Sequence, residues 1–348
     1  MTEKYKKKYP KQAKRLQEKI NKILSESYNV QNSSEMRTIK TDISFCFFAY
    51  GFYPDEYIFF DLGGKNQEPS HRRTFVSETE RLCFRFSVND FTQSIFSDKA
   101  EVYSLLQKYF KREAIAIENE SDYKNYCTFV NKYPIHVQKI VNSSRGEGVR
   151  LIDTTTATFD IKRNFKTLRS LGKVLLEEKI EQDGALAAFN LDSVNTVRVA
   201  SFKTRNGVII PYGFFRTGKS GSFVDNAATG GVFAVIDTEN GIITSVGYDE
   251  AGNKYDTHPN SKKNFKGFRL PKWEQAISLC KEATSDIPNN IGYLSWDLAY
   301  SNKGWVIVEV NPSGQFLWQT GALQGCRKEM KQIIQEMEQL VSFPLDRF

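Results

Sequence analysis

The sequence predicts an α/β protein in which alternating helices and strands precede a mainly antiparallel sheet. The first observation is a series of helical and strand patterns between residues 98 and 180. The second is a set of short turns between alternating apolar runs, at Asn206-Gly207, Asn240-Gly241 and Lys303-Gly304, because glycine turns of this kind indicate β-hairpins. With 40% hydrophobic and 13% aromatic residues among 348, the chain can form two or three globular domains.

The excess of positive over negative charge is concentrated at the N-terminus of the chain. The net charge is +7, and residues 1–22 hold nine lysines and arginines against two glutamates, so the remainder is electrically balanced. We therefore expect no nucleic-acid binding. Residues 1–30 are predicted to form a basic amphipathic helix, with an apolar face made of Leu16, Ile20, Ile23 and Leu24. Such a helix either packs on its own domain or makes a peripheral contact with an anionic membrane through residues 1–22.

Several features indicate a cytoplasmic protein. Lysines occupy the positions where a signal peptide would have its apolar segment. The most apolar run, residues 43–53, is far shorter than the ~20 residues that span a bilayer. Five cysteines without a C-x-x-C pair and three isolated histidines indicate reduced thiols and no zinc site. If the basic helix binds lipid, we expect the protein at the inner face of the membrane.

The other elements follow from local spacing. Residues 31–97 mix aromatic-rich runs with turn signals, and we expect a small mixed α/β region there. Helices are predicted over residues 98–111, 122–132, from 271 onward and 327–341. Strands are predicted over residues 114–117 and 135–141, from 173 onward, and on both sides of each hairpin turn.

Residues 213–220 read GFFRTGKS and match the phosphate-binding pattern G-x-x-x-x-G-K-[ST]. A P-loop requires a helix that opens at the lysine, because the phosphate lies on the helix N-terminus. Here glycines and β-branched residues follow Ser220, and the match lies between two predicted hairpins. We therefore expect no P-loop nucleotide site.

A better phosphate site follows the strand that carries Lys139. This strand runs into a glycine- and serine-rich loop, whose free amides could close over phosphate oxygens before the next strand begins. The candidate contacts are Lys139, Ser143, Ser144, Gly146 and Gly148. An ordinary hairpin turn is the alternative.

Two carboxylates nearer the C-terminus lie in apolar strands. Asp297 belongs to LSWDLA, whereas Glu309 and Asn311 belong to VIVEVNPSG. Strand alternation places Glu309 and Asn311 on one face, and an antiparallel partner can place Asp297 opposite them. Three oxygen ligands at one place suit Mg²⁺, and the alternative is a buried pair with lysine or arginine.

The order of these motifs, a lysine with a glycine loop and then D…E-x-N on paired strands, resembles the ATP-grasp fold. It is most similar to the sugar-transfer-associated ATP-grasp family found with bacterial surface-polysaccharide genes, over residues 98–315. The resemblance implies two α/β lobes that clamp ATP. Residues 98–180 would be the small lobe with the glycine-rich loop, and residues 181–348 the large lobe with the metal site.

The resemblance also implies which residues bind the nucleotide. Lys99 and Lys139 would be the two nucleotide-contacting lysines. The hinge between the lobes would be LLEEKIEQ, and the candidates in it and directly after it are Glu177, Glu178, Lys179, Ile180, Glu181 and Asp183. One of the first two carboxylates would accept the adenine amino group, the backbone of the middle pair would meet the ring, and one of the last two would reach the ribose.

The catalytic candidates implied by the resemblance are Arg198, Arg216 and Asn226. The arginines would lie near the transferring phosphate or an anionic substrate. Asn226 belongs to VDNAATGG, a pattern also seen in related peptide ligases. The sequence departs from the family at Ile140, where many relatives have proline, and we expect a local backbone adjustment there.

The function implied by the resemblance is ligation of a carboxylate to an amine through an acyl phosphate, with ATP and Mg²⁺, or Mn²⁺ in its place. The substrate would be a small molecule or glycan bearing a carboxylate or amine, in the modification of a cell-surface polysaccharide or its sugar or amino-acid precursor. A kinase that phosphorylates a sugar hydroxyl is the alternative, because it needs the same lysines and metal.

Overall fold

The N-terminal region is helical. A computed structural model describes residues 3–28, 32–90, 95–141, 148–219, 221, 230–249, 252–316, 318–322 and 324–337. Its first helices are α1 (Glu3–Lys8), α2 (Pro10–Ser27), α3 (Ser33–Tyr50), α4 (Pro54–Phe59), α5 (Pro69–Arg72) and α6 (Glu78–Val88). Among these described residues, no helix is both long and apolar enough to cross a membrane.

Residues 31–97 were expected to form a mixed α/β region, and this prediction is wrong, because the regular elements described there are helices. The aromatic-rich run forms the second half of α3. This helix is bounded at both ends by local signals: the Asn32 side chain accepts a hydrogen bond from the Ser34 N–H at 2.9 Å, and Gly51 follows with φ of 77°. A side-chain cap and a left-handed glycine favour one continuous helix over a strand.

The small sheet has the strand order β1-β4-β2-β3 and is antiparallel throughout. Its segment contains α7 (Lys99–Phe110), β1 (Ala114–Ile117), α8 (Tyr123–Lys132), β2 (Ile135–Ile140), β3 (Arg150–Asp153), α9 (Ile161–Ser170) and β4 (Val174–Glu178). Tyr126, Phe165 and Leu176 lie in the apolar core between this sheet and helices α8 and α9. The helices and strands predicted in this segment are confirmed.

The large sheet follows a short helix, α10 (Gly184–Ala187). Its elements are β5 (Thr196–Thr204), β6 (Gly207–Thr217), β7 (Val232–Asp237), β8 (Ile242–Ile243), β9 (Gly247–Tyr248), β10 (Lys254–Tyr255), α11 (Trp273–Asp286), β11 (Tyr293–Ser301), β12 (Gly304–Asn311), α12 (Trp318–Ala322) and α13 (Arg327–Glu336). The strand order is β10-β9-β7-β6-β5-β11-β12, with β8 on β7. The predicted hairpins β5–β6, β7–β8 and β11–β12 are confirmed. Helix α13 begins at the predicted residue, and residues 338–341 of that prediction lie outside the described ranges.

Helix α7 shares its core with the large sheet. Leu106 and Phe110 belong to the same buried cluster as Ala276 of α11 and Trp305 of β12. The first helix of the predicted small lobe therefore packs against the large one, and Lys99 at its first position is fixed relative to both.

The first five residues of the P-loop match lie in a strand. Residues 213–217 belong to β6, and Arg216 pairs with Phe233 of β7. The Lys219 Nζ atom lies 3.2 Å from the Tyr255 hydroxyl and 3.5 Å from the Asp249 carboxylate. No helix opens at this lysine in the described part of the chain, where the next regular element is β7.

The apolar face of α2 is buried in the protein. Leu16, Ile20 and Leu24 are at most 5% exposed and pack in one cluster with Phe60 and with Phe233 of the large sheet. Burial of these side chains is the main stabilisation of this helix, worth about 1.5–3 kcal/mol for each. The charged side chains of α2 are exposed and lie outside this apolar cluster.

Candidate active site

A large cleft collects most of the predicted site residues. Its volume is about 1730 Å³, and its walls come from the small sheet, the large sheet and the N-terminal helices. The predicted residues that line it are Lys99, Lys139, Glu177, Glu178, Lys179, Ile180, Arg198, Arg216, Asp297, Glu309 and Asn311. Gly148, Glu181 and Asp183 are described but do not line it. Ser143, Ser144, Gly146 and Asn226 lie outside the described residues.

The carboxylates of the metal motif lie on paired strands. Asp297 of β11 is directly opposite Glu309 of β12 in the antiparallel register. Asn311 lies two residues beyond Glu309, so these two residues share a strand face. The register is therefore the one that alternation predicts.

The Asp297 carboxylate is held by two arginines. Arg198 lies opposite it on β5 and donates from Nε to Oδ1 and from Nη2 to Oδ2, each at 2.6 Å. Arg216 Nη2 lies 3.0 Å from Oδ2 and donates to the Thr196 hydroxyl at 2.8 Å. Burial disfavours the ionised carboxylate, but the charges of Arg198 and Arg216 lower the pKa of Asp297 below its usual range.

These contacts decide how the motif fits a divalent cation. The described residues contain no group of three His, Cys, Asp or Glu side chains suited to a metal, so an amide oxygen must complete the ligand set. Glu309 and Asn311 supply carboxylate and amide oxygens of the type that Mg²⁺ prefers. Asp297 can serve as a third ligand only through Oδ1, which accepts one hydrogen bond from Arg198 and keeps a second lone pair, because Oδ2 already pairs with both Arg198 and Arg216.

Lys139 is held by a buried carboxylate. Its Nζ lies 2.8 Å from Oε1 of Glu177, to which it projects from the neighbouring strand β2. Arg112 Nη2 lies 2.6 Å from the other oxygen of Glu177. Although Glu177 is only 3% exposed and burial disfavours its charge, Arg112 and Lys139 lower its pKa.

Arg112 connects the two sheets and is a residue that sequence reasoning missed. Besides its pair with Glu177 of β4, it donates to the backbone carbonyl oxygens of Ile307 and, at 3.1 Å, Val308 of β12. It lies in the short link between α7 and β1, where no motif marks it. Only a search for the buried partner of Glu177 could have suggested it.

Lys99 lies where the glycine-rich loop begins. Its Nζ is 3.4 Å from the Val141 carbonyl oxygen and 3.5 Å from that of Ile140. Burial lowers the pKa of Lys99, and the nearby charge of Lys139 lowers it further against the opposing effect of Glu309. Lys99 is therefore close enough to Lys139 and Glu309 to be influenced by the charge of each.

Gly148 lies at the C-terminal end of this loop, where the described residues resume. Its φ of 75° is in the left-handed region, and a Cβ atom there would lie 2.8 Å from Cδ1 of Ile140. The residue that departs from the family pattern thus packs against the glycine.

The hinge residues have different surroundings. Glu178 Oε1 lies 2.6 Å from Lys303, while Glu177 is committed to Arg112 and Lys139. The Asp183 carboxylate caps α10 by accepting from the Ala185 N–H at 2.9 Å. Glu181 is exposed, with Oε1 3.5 Å from Lys179 Nζ.

Most of the chain matches one known protein family. The model of the sugar-transfer associated ATP-grasp family matches residues 88–335. The chain belongs to this family. It is therefore an ATP-grasp protein, and its fold is that of an ATP-dependent enzyme.

Solved structures that resemble this ATP-grasp chain include two ligases and a synthetase. The ATP-grasp ligase PsnB with its minimal precursor is 11% identical, with a TM-score of 0.44 over 72% of this chain and 64% of that one. The L-amino acid ligase from Bacillus licheniformis is 13% identical, with a TM-score of 0.37 over 64% and 42%. D-alanyl-alanine synthetase A from Vibrio cholerae O1 is 9% identical, with a TM-score of 0.41 over 69% and 65%.

This ATP-grasp chain covers less than two thirds of the length of each of those three proteins. No curated protein matches it.

The cleft also includes residues N-terminal to the part matched by the family. Arg81 of α6 lines the cleft, is paired with Glu78, and donates to the Ser313 hydroxyl at 2.5 Å. Because Ser313 follows β12, this contact ties the helical region to the strand that carries Glu309. None of the site residues predicted from the sequence lies in these helices.

His258 supports a neighbouring loop. It is fully buried, its Nε2 lies 2.9 Å from the Gly218 carbonyl oxygen, and its Nδ1 accepts from the Ser261 N–H at 3.2 Å. Burial lowers the pKa of His258, so the ring is neutral and has a structural role.

Proposed function

We propose that this protein is a ligase that uses ATP and Mg²⁺ to join a carboxylate to an amine through an acyl phosphate. The observation that carries the proposal is the composition of one cleft, where Lys99 and Lys139 meet Glu309 and Asn311 and where Arg198 and Arg216 lie nearby. A site for phosphoryl transfer needs cationic side chains and a metal ion around the transferring group, because these neutralise its negative charge.

The chain's own residues would act by binding and positioning. Lys99 and Lys139 would hold the nucleotide phosphates, and Lys139 is already oriented by Glu177. Glu309 and Asn311 would hold Mg²⁺, which supplies charge neutralisation at the phosphates when bound. Arg198 and Arg216 would orient the substrate carboxylate, since their shared pairing with Asp297 leaves the three groups with a net positive charge.

In the proposed reaction, a carboxylate oxygen of the substrate attacks the γ-phosphorus of ATP. The bond from this phosphorus to the bridging oxygen breaks, ADP leaves, and an acyl phosphate remains. The amine then attacks the carbonyl carbon, phosphate departs, and the amine nitrogen loses a proton. No covalent bond to the protein is required, so positioning and charge are the protein's contribution.

The family description supports a sugar-related substrate. We propose that the carboxylate or the amine belongs to a cell-surface polysaccharide or to a sugar or amino-acid precursor of one. The alternative reaction is phosphorylation of a sugar hydroxyl in the same cleft, which leaves the phosphoryl group on the product.

Hydroxylamine trapping tests the reaction. The protein would be incubated with ATP, Mg²⁺, hydroxylamine and a panel of carboxylates that includes galacturonate and glutamate. A ligase should release ADP and phosphate in equal amounts and form a hydroxamate, because hydroxylamine attacks acyl phosphates. ADP with a phosphosugar and no hydroxamate would identify a kinase, and Lys139→Met should abolish either reaction.

We also propose that the enzyme is cytoplasmic and contacts the inner face of the membrane through α1 and α3. Phe45 and Phe48 are 52% and 43% exposed, and Phe48 packs against Tyr5 beside three lysines that end α1. Exposed aromatic rings beside lysines suit an anionic lipid surface. Phe45→Ser with Phe48→Ser should reduce sedimentation with phosphatidylserine vesicles, whereas Phe86→Ser, at a 64% exposed position, should not. Equal loss in both variants would contradict the contact.

A further inference from the structure

The basic helix α2 forms one wall of the cleft. Arg15, Lys19 and Lys22 line the same cleft as Arg198 and Arg216. They precede residue 88, where the match to the family begins. Part of the excess positive charge of the N-terminal segment therefore lines the cleft.

The fold fixes which face of α2 meets the cleft. Arg15, Lys19 and Lys22 follow each other at intervals of four and three residues, so they lie on one helix face. The adjacent stripe, which contains Leu16 and Ile20, is buried and prevents rotation of the helix about its axis. Lys19 Nζ also lies 5.3 Å from the centre of the Tyr53 ring.

The size of the cleft leaves room for more than a nucleotide. Its volume of about 1730 Å³ exceeds the roughly 300–1,000 Å³ of usual small-molecule sites. The α2 wall carries three cations and one glutamate, Glu26, whose Oε1 is 3.9 Å from Lys22 Nζ. Carboxylates of α4 and α6 also line the cleft, but Glu56 accepts from backbone N–H groups and Glu78 pairs with Arg81. A substrate that extends from Arg198 to the α2 wall would therefore reach arginine or lysine side chains at each end.

We propose that Arg15, Lys19 and Lys22 bind anionic groups of an extended acidic sugar substrate whose reacting group lies near Arg198 and Arg216. The proposal rests on the function proposed above and adds the charge and length of the substrate. The anionic groups are carboxylates or phosphates, which make the same ion pairs with these side chains. The helix thus selects substrates at a distance from the reacting atoms.

The test is isothermal titration of the full chain in the presence of Mg²⁺ and a non-hydrolysable ATP analogue. The probes are trigalacturonate, maltotriose phosphate, neutral maltotriose and triglutamate. We expect at least one acidic sugar to bind about tenfold or more tightly than maltotriose, and the stronger of the two identifies the anionic group. The variant Arg15→Gln/Lys19→Gln/Lys22→Gln should lose about tenfold in affinity for it, as expected for three exposed ion pairs.

The matched control is Lys7→Gln/Lys11→Gln/Lys14→Gln. It removes the same charge from α1 and α2 at positions that do not line the cleft, and it should retain wild-type affinity. Equal losses in both triple variants would overturn the proposal, because they would report general attraction by net charge. A wild-type preference for triglutamate over both acidic sugars would overturn the assignment to a sugar.

The nucleotide titration separates this inference from the function on which it rests. If wild type binds the analogue with Mg²⁺ but does not distinguish acidic from neutral sugars, the role of α2 is wrong and the ATP site stands. If wild type does not bind the analogue, the proposed function fails first.

Discussion

Arg198 and Asp297 form a two-point ion pair between neighbouring strands of the large sheet, with both nitrogen–oxygen distances at 2.6 Å. Asp297 is 3% exposed and faces Glu309 in the register of the next strand. The residue is thus shared between an arginine pair and a candidate metal motif.

Asp297→Asn should destabilise the fold. The amide keeps the shape of the side chain but leaves Arg198 and Arg216 without their negative partner. Loss of one partner in a buried ion pair costs about 3–5 kcal/mol. Urea unfolding measures this change in the free energy of unfolding, and Asp256→Asn at an exposed position is the control. Equal stability of both variants would contradict the buried pair.

Acid should unfold the protein in a transition that depends on Asp297 and Glu177. Both carboxyls have pKa values below their usual range in the fold, so the unfolded chain binds protons more readily than the native one. Their stabilisation is complete above about pH 5 and is lost as the pH falls through about 4 and below. Urea midpoints between about pH 3 and 7 should fall more steeply in wild type than in Glu177→Gln. Identical slopes would show that Glu177 is not paired.

Arg112→Met should weaken the connection between the two sheets. The change removes the partner of Glu177 and the hydrogen bonds to the carbonyl oxygens of β12. We expect a loss of about 3–5 kcal/mol in the free energy of unfolding, because a buried carboxylate loses its main counter-charge. Arg150→Met on the exposed side of β3 should change it by less than about 0.5 kcal/mol. A small effect at Arg112 would mean that the sheets are held together elsewhere.

Gly148→Ala should be more harmful than Gly172→Ala. Both glycines have positive φ, 75° and 87°, so alanine is strained at each. Only at Gly148 does the new Cβ approach another side chain, Ile140, since nothing lies within 4 Å at Gly172. The difference in thermal midpoint between the variants isolates this contact. Gly148→Ala should cost less stability in an Ile140→Ala background than in the wild-type background, and equal costs in the two backgrounds would contradict the clash.

The fold was predictable from the sequence where local signals dominate. The turns at Asn206-Gly207 and Lys303-Gly304 fixed their hairpins, and Asp98 marked the start of α7 as its N-cap. The pairing of Asp297 with Glu309 followed from alternation once β11 and β12 were recognised. The prediction for residues 31–97 was wrong because aromatic side chains do not distinguish a packed helix from a strand.

The contacts of the site were less predictable because they join distant parts of the chain. Glu177 and Arg112 are separated by 65 residues, and neither position belongs to a motif that specifies the other. The helix α2 was recognised as basic and amphipathic, but its orientation depends on a cluster formed with Phe233. Sequence spacing therefore predicts which residues share an element, while long-range packing decides what they face.

Nucleotide titration is the direct test of the proposed magnesium-dependent ATP site at Lys139 and Glu309. Wild type, Lys139→Met and Glu309→Gln would be titrated with a non-hydrolysable ATP analogue, with and without Mg²⁺. We predict magnesium-dependent binding in wild type, little binding in Lys139→Met, and weak binding that no longer responds to Mg²⁺ in Glu309→Gln. Binding in Glu309→Gln that keeps the full response to Mg²⁺ would contradict a magnesium site at Glu309.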